Sequence, residues 1–170
     1  MSPQTGFVLV EHPRPHVALI TLNRPERMNS MAFDVMVPLK EALAEVTCDN
    51  SVRVVVLTGA GRGFSSGADH KSAGHVPHVE GLTRPTYALR SMELLDDVIL
   101  GLRRLHQPVI AAVNGAAIGG GLCLALAADI RVASSSAYFR AAGINNGLTA
   151  SELGLSYLLP GLSARRGRSN

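Results

Sequence analysis

The sequence predicts an α/β fold in which a mainly parallel sheet is covered by helices. Segments with apolar residues at helical spacing alternate with short runs rich in β-branched residues, and this alternation is typical of such folds. The chain has 170 residues, of which 46% are hydrophobic. That is long enough to bury one sizeable core, so we expect a single core domain over residues 1–160.

The first three elements are predicted from two β-rich runs and one amphipathic stripe. Phe7–Val10 and Val17–Leu22 are separated by a proline-rich turn, which indicates an antiparallel hairpin. From Met31 to Val46 the apolar positions recur at helical spacing, with Val35, Leu39 and Leu43 between them. We therefore expect a helix packed against the hairpin.

Helix and strand then alternate along the rest of the chain. Unbroken apolar runs predict buried strands, and a second stripe containing Met92, Leu95 and Val98 predicts a long helix. In chain order the predicted elements are strand Val52–Leu57, helix Tyr87–Leu105, strand Pro108–Val113, helix Gly121–Ala128 and strand Ile130–Ala133.

Charge and leader composition argue against several classes of protein. Three of the sixteen cations, Arg165, Arg166 and Arg168, lie in the last ten residues, which contain no acid, so the body of the chain is neutral. This weakens the case for a nucleic-acid or anionic-membrane partner. The N-terminus lacks a charged leader with a long apolar run, and only Cys48 and Cys123 are present. We expect a cytoplasmic protein.

Two strand-end loops carry the predicted chemistry. Phe64–Asp69 follows the Val52–Leu57 strand, and Asn114–Gly121 follows the Pro108–Val113 strand and leads into a helix. Their glycines and alanines let backbone amides approach a ligand closely. Two converging N–H groups would form an oxyanion hole that stabilises the enolate of a thioester.

Four motifs in these regions resemble those of the crotonase family, the enoyl-CoA hydratase/isomerase superfamily. They are N-R-P-E-R-M-N-S-M at 23–31, G-F-S-S-G-A-D at 63–69, P-V-I-A-A-V-N-G-A-A-I-G-G-G at 108–121 and A-D-I-R-V-A at 128–133. The motifs occur in the family's order and spacing. The resemblance implies a crotonase-like ββα superhelical spiral, an acyl-CoA substrate, a role in fatty-acid β-oxidation, and a trimer or hexamer for the full-length family.

The resemblance also assigns residues by position. It makes the amides of Ala68 and Gly120 the oxyanion donors. Coenzyme A is then part of the substrate, and no separate cofactor or metal is implied. The contacts to the coenzyme A end of the substrate are assigned to the stretch Arg24–Met28, in particular Arg24, Arg27 and Met28, and to Ser66 and Asp69. His70 is assigned as a further substrate-binding residue, in the loop beside the acyl pocket.

The sequence departs from the family pattern at two catalytic positions. Family hydratases carry two glutamates that flank a water molecule, and Cys123 and Gly143 occupy those positions here. Hydration needs a general base and a proton donor, which a glycine and an un-ionised thiol do not supply. We hypothesise that Glu152 serves as a catalytic acid/base. Its alternative role is a capping box with Thr149. Besides the enzyme, a noncatalytic acyl-CoA binder and an inactive remnant stay open.

Other conspicuous residues have structural interpretations that we prefer. Cys123 could be a nucleophile at a helix start but is typical of a small buried hydrophobe. The histidines at 70, 75 and 78 could bind a metal, although the resemblance makes their segment the mobile loop beside the acyl pocket. Gly59–Gly63 could mimic a dinucleotide-binding turn, yet no helix pattern follows it. Asp129 is expected to be buried and to fix loop backbone.

The last ten residues form a separate prediction. The resemblance stops after Pro160, about two-thirds of the way through the family's length, so we expect the family's C-terminal helical region to be missing. Residues 161–170 can be written in permitted codons whose bases, read in a shifted frame, encode the continuation expected for the family. This predicts that the tail is the product of a frameshift. The alternative is a shortened paralogue with a disordered tail.

Overall fold

The computed structural model describes residues 6–143 and 152–163, and its strands form two sheets. The larger sheet has five strands: β1 (Val8–Arg14), β2 (Val17–Leu22), β3 (Val54–Gly59), β5 (Val109–Val113) and β7 (Ile130–Ala133). The smaller sheet has three: β4 (Gly63–Ser65), β6 (Ala116–Ile118) and β8 (Phe139–Arg140).

The larger sheet confirms the mainly parallel α/β prediction. Strands β1 and β2 form the predicted antiparallel hairpin, with Val8 opposite Leu22, and every other pair in this sheet is parallel. The alternation of apolar residues that predicted β2 is seen as burial, because Ala18, Ile20 and Leu22 are fully buried. These side chains face the helices, since alternate residues of a strand point to opposite faces.

From β3 onward, each repeat of the chain contributes one strand to each sheet. Strand β3 leads into β4, β5 into β6 and β7 into β8, and helices follow the first two of these pairs. This repeated strand, strand and helix order is the crotonase-like spiral expected from the resemblance. The short strands of the smaller sheet are not predicted by periodicity, because two or three residues are too few to show a pattern.

The helices are α1 (Phe33–Cys48), α2 (Arg84–Arg104), α3 (Gly120–Ala127) and α4 (Leu155–Ser163). The predicted stripe of α1 is buried at Val35, Leu39, Leu43 and Val46, whereas Met31 precedes the helix. Helix α2 begins three residues before its predicted start. Thr83 caps its first turn through the Thr86 N–H, and a proline occupies the first turn.

Helix α3 lies at the centre of the core and is buried over its whole length after Gly120. Its C-terminal end is capped by Arg131 in β7, whose Nη1 donates to the carbonyl of Ala128 at 2.6 Å. A cation at this end is favourable for the helix dipole. The helix is thus fixed at one end while its N-terminus faces the space between the sheets and α2.

Asp129 corrects one detail of the sequence analysis. Its side chain is 52% exposed rather than buried. Its Oδ2 nevertheless accepts a hydrogen bond from the Val109 N–H at 2.9 Å, so it fixes backbone as expected. The exposure arises because β7 is the edge strand of the larger sheet. An apolar neighbour in sequence does not bury a residue at a sheet edge.

The described residues cover only part of the C-terminal region for which the sequence made predictions. A 3-10 helix at Glu152–Gly154 precedes α4, and α4 continues past the predicted domain boundary at residue 160 to Ser163. Thr149, the proposed capping partner, and residues 164–170 of the predicted tail lie outside the described residues. No helix within the described segments is long and apolar enough to cross a bilayer.

The core predicts the effect of truncating a leucine in the larger sheet. Leu57 in β3 is fully buried, and its change to alanine should lower the free energy of unfolding by about 3 kcal/mol through lost burial and a cavity. Leu89 in α2 is 59% exposed, so Leu89→Ala is the matched control, with a change of about 0.5 kcal/mol or less. Urea unfolding measures both. Equal losses would contradict the assigned core.

Candidate active site

The two predicted loops meet at one cavity of about 200 Å³, which we call the central cavity. It brings together Ala68, Gly120, Cys123 and Gly143, four positions that the sequence analysis singled out. The other described residues in its wall are apolar or glycine: Met31, Met92, Leu95, Gly119, Leu153 and Leu155. None of these described lining residues carries a charge, so in this part of the wall the polar groups that a ligand would meet are backbone amides.

The Ala68 amide is oriented by a short bridge to Met31. The Met31 N–H donates to the Gly67 carbonyl at 2.7 Å, and the Asp69 N–H donates to the Met31 carbonyl at 3.3 Å. In a parallel pairing of this kind, the residue between the two bonded positions turns its own N–H away from the partner strand. The Ala68 N–H is therefore not used in the bridge.

The Gly120 amide lies in the first turn of α3. Gly119 precedes it with φ of 52° and ψ of −119°, a conformation open to glycine, and its own N–H donates to the Arg140 carbonyl at 2.8 Å. The Cys123 N–H makes the first turn of the helix by donating to Gly119 at 3.1 Å. The Gly120 N–H precedes that bond, so it has no intrahelical acceptor and carries the positive end of the dipole.

The loops are held together by contacts that only glycine permits. A Cβ on Gly67, which has φ of +81°, would lie 2.6 Å from the Ile118 carbonyl oxygen and 3.2 Å from the Gly120 nitrogen. A Cβ on Gly121 would overlap the Ser65 carbonyl oxygen. The backbones of the two loops therefore touch, and this contact fixes the Ala68 and Gly120 regions relative to each other.

Asp69, the residue after Ala68, has a buried carboxylate. Its side chain is 2% exposed, and Arg27 Nη2 lies 2.7 Å from its Oδ1 while Arg24 Nη1 lies 3.0 Å from its Oδ2. Ser30 Oγ donates to Oδ2 at 3.0 Å. The N–H groups of Lys71 and Ser72 donate to Oδ1 at 2.9 and 3.0 Å.

These partners keep the carboxylate ionised. Burial alone would raise the pKa of Asp69, but the hydrogen bonds from Arg27, from the Lys71 and Ser72 amides and from Ser30 hold it well below its ordinary value. Asp69 is therefore an anion across the physiological range. It joins the segment that contains the arginines to the loop that carries Ala68.

The remaining predicted substrate-binding residues surround this ion cluster. Met28 has a left-handed backbone with φ of 53°, and its carbonyl accepts the Ser66 N–H at 2.9 Å. Ser66 Oγ lies 3.5 Å from the Arg27 carbonyl, and His70 is exposed at the surface. Their contact with the substrate stays a prediction.

Asn29 is a site-supporting residue to which sequence reasoning gave no role. It is fully buried with φ of 51°, and its Nδ2 donates to the carbonyls of Ala60 and Gly63, each at 2.9 Å. Its Oδ1 accepts the Arg24 N–H at 2.8 Å. Its position inside the 23–31 motif could have pointed to it. Asparagine tolerates the left-handed backbone conformation better than most residues, so an asparagine in a turn motif is a candidate for such a position.

The sequence raised two other kinds of site, a dinucleotide-binding turn at Gly59–Gly63 and a metal site at the histidines. Gly59–Gly63 leads into strand β4 rather than a helix, so it does not form a dinucleotide-binding turn. His75 lies in a segment bonded to the start of α1, where its N–H donates to Asp34 at 3.0 Å and the Phe33 N–H donates to Ala73 at 2.6 Å. Among the described residues, no group of three or more His, Cys, Asp or Glu is placed to hold a metal.

Glu152 and Cys123, the two predicted residues with side chains that could carry a proton, lie at or next to the cavity wall. Glu152 begins the 3-10 helix next to Leu153, a cavity-lining residue, and its side chain lies outside the description. Cys123 is 3% exposed, and it lines the cavity from the first turn of α3. Burial fits its interpretation as a small hydrophobic residue.

The comparison with protein families gives one match over most of the chain. The family model for enoyl-CoA hydratase/isomerase matches residues 14–166. The probable enoyl-CoA hydratase echA12 of Mycobacterium bovis is 94% identical over 155 residues, which are 91% of this chain and 54% of that protein. The chain thus spans about half the length of the curated relatives it matches.

Solved structures resemble the same region. A probable enoyl-CoA hydratase/isomerase from Mycobacterium abscessus is 73% identical with a TM-score of 0.84, over 91% of this chain and 57% of that one. A monofunctional enoyl-CoA isomerase from M. smegmatis is 67% identical with a TM-score of 0.73, over 92% and 62%. A Thermobifida fusca structure in complex with acetoacetyl-CoA is 34% identical with a TM-score of 0.77, over 95% and 64%.

The ion cluster predicts how stability depends on pH. Since the pKa of Asp69 is lower in the folded than in the unfolded chain, its contribution is present above the unfolded value of about 3.9 and is lost on acidification from about pH 5 downward. Asp69→Asn should cost roughly 3 kcal/mol at pH 7, because it removes the buried carboxylate that Arg24 and Arg27 share. It should also make stability fall less steeply on acidification.

Urea unfolding at several pH values checks this expectation. Asp97→Asn is the matched control, because the Asp97–Lys40 pair is about half exposed on both sides and should contribute about 1 kcal/mol or less. If the free energy of unfolding fell equally steeply below about pH 5 in the wild type and in Asp69→Asn, the Asp69 carboxylate would not be the group that titrates.

Proposed function

Because the chain belongs to the enoyl-CoA hydratase/isomerase family, we propose that it binds an acyl-CoA thioester in the central cavity and stabilises the thioester enolate there. The observation that carries the proposal is the shared position of Ala68 and Gly120 at one apolar cavity. Backbone donors that converge on one point in an apolar site stabilise developing negative charge strongly. The acetoacetyl-CoA bound to the Thermobifida fusca relative supports a thioester ligand.

The proposed reaction is proton transfer next to the thioester rather than ordinary hydration. Cys123 and Gly143 line the cavity at the positions that the family resemblance gives to the two hydratase glutamates. No carboxylate is available at those positions to activate a water molecule. An enolate held in the oxyanion hole needs only one group to remove and return a proton, which is the chemistry of double-bond migration.

Glu152 is the group we assign to this proton shuttle. It adjoins Leu153 in the cavity wall, and the 67% identical M. smegmatis relative is named a monofunctional enoyl-CoA isomerase. In this mechanism Glu152 takes the proton from the carbon chain, the Ala68 and Gly120 amides hold the enolate oxygen, and the proton returns at the other end of the conjugated system. The alternative is a noncatalytic acyl-CoA binder, which would use the same oxyanion hole to hold the thioester and would have no role for Glu152.

Replacing Gly120 tests the oxyanion hole. Gly120→Pro and Gly120→Ala both add a Cβ beside the Met31 sulfur and 3.2 Å from Leu153 Cδ1, but only proline removes the N–H. Proline is tolerated at the first helical position. The enolate of bound acetoacetyl-CoA is measured by its ultraviolet absorbance. We expect Gly120→Pro to reduce it about tenfold or more relative to Gly120→Ala. Equal spectra would contradict the role of this amide.

Replacing Glu152 tests the proton shuttle. In D2O, α-proton exchange of a saturated acyl-CoA can be followed by NMR, and Glu152→Gln should slow it by about 100-fold or more. Glu45→Gln, at an exposed position of α1, is the control and should leave the rate unchanged. Exchange that persists in Glu152→Gln would exclude this residue, and binding without exchange in the wild type would favour the noncatalytic binder.

A further inference from the structure

The carboxylate of Asp69, beside the proposed oxyanion donor Ala68, is fully engaged in hydrogen bonds within the protein. Asp69 follows Ala68 directly, and its carboxylate is enclosed by Arg24, Arg27, Ser30 and two backbone amides. With 2% of its side chain exposed, it has little surface left for a substrate. The cluster therefore has to be explained by what it does inside the protein.

We propose that Asp69 is a positioning residue, whose carboxylate fixes the peptide of Ala68 so that its N–H faces the thioester oxygen. This inference rests on the proposed function. It also gives Arg24 a different role from the one the family resemblance implies, because Arg24 bonds to Asp69 inside the protein instead of to the coenzyme A end of the substrate.

The hydrogen bonds constrain the Ala68 peptide on both sides. The Gly67 carbonyl, which shares a peptide plane with the Ala68 N–H, accepts from the Met31 N–H, and in the next peptide the Asp69 N–H donates to the Met31 carbonyl. The Asp69 carboxylate then closes a second set of bonds, one residue further on, to the Lys71 and Ser72 amides. Rotation of the Ala68 N–H away from the cavity would strain or break these bonds. An error of about 1 Å in such a group can cost on the order of 100-fold in rate.

The two arginines differ in what they can still bind. The Arg24 side chain is 11% exposed, bonds to Asp69 and lies with its guanidinium carbon 5.3 Å from the centre of the Phe7 ring. The Arg27 side chain is 31% exposed and uses Nη2 for Asp69. Since a guanidinium has five donors, Arg27 can hold Asp69 and still meet an anion at the surface. Arg24 is enclosed on the side of Phe7 and on the side of Asp69.

Positioning and direct contact predict different results for Asp69→Asn. Asparagine has the same shape but no charge, so the arginines lose their anchor and the Ala68 peptide becomes free to move. Acetoacetyl-CoA binding to the whole chain is measured by calorimetry, and the enolate of the bound ligand by its absorbance. We expect a Kd within about threefold of the wild type. We expect the enolate absorbance per bound ligand to fall about tenfold or more.

A second variant keeps the test decisive if Asp69→Asn does not fold. Ser30→Ala removes one hydrogen bond to Oδ2 and leaves both arginines in place. It should lower the enolate absorbance by a smaller factor at unchanged Kd. Weaker binding with an unchanged enolate fraction in either variant would overturn the inference and make Asp69 a ligand contact. A wild-type chain that binds acetoacetyl-CoA without forming enolate would instead overturn the proposed function, and the inference with it.

Discussion

The candidate site depends on one contact, in which the loop after β4 touches the start of α3 backbone to backbone. Gly67 and Gly121 make this possible, because a Cβ on either would strike the Ile118 or Ser65 carbonyl of the opposing loop. The parallel pairing of β4 with β6 brings the two loops side by side. If the loops stood one side chain further apart, Ala68 and Gly120 could not serve a single oxygen atom. The Gly-rich sequence of both loops is therefore a packing requirement as well as a way to expose amides.

Charge is arranged around this contact so that it supports the cavity without entering it. The lining residues are uncharged, whereas the buried ion cluster of Asp69 with Arg24 and Arg27 lies next to Ala68. In a site of low polarity, two amide dipoles at fixed positions stabilise an enolate without reorganising. A charged side chain at the wall would bring water with it. In the proposed site, the ion cluster, Asn29 and the glycine contact together keep these dipoles in place.

The described part of the cavity wall bears directly on the proposed reaction. Cys123 and Gly143 contribute no carboxylate to it, so the proposed reaction depends on the enolate and on a single proton-transfer group. The chain spans about half the length of its curated relatives, and its activity as an enzyme is accordingly a proposal to be tested with the chain itself. The proposed oxyanion hole lies where β4 and β6 end and α3 begins, and all three elements belong to the described part of this chain.

The sequence by itself determined the order of the long elements, the parallel sheet and the two loops, because repeating patterns of apolar residues and glycine are local properties of the chain. It also placed Ala68 and Gly120 through the motifs around them. It did not determine the short strands β4, β6 and β8, the exposure of Asp129 or the supporting role of Asn29. It also could not show that Asp69 is enclosed by Arg24 and Arg27, which lie more than forty positions away in the sequence. Only the tertiary structure decided these features, because burial, ion pairing and the approach of two backbones depend on segments that are far apart in the chain and meet only when it folds.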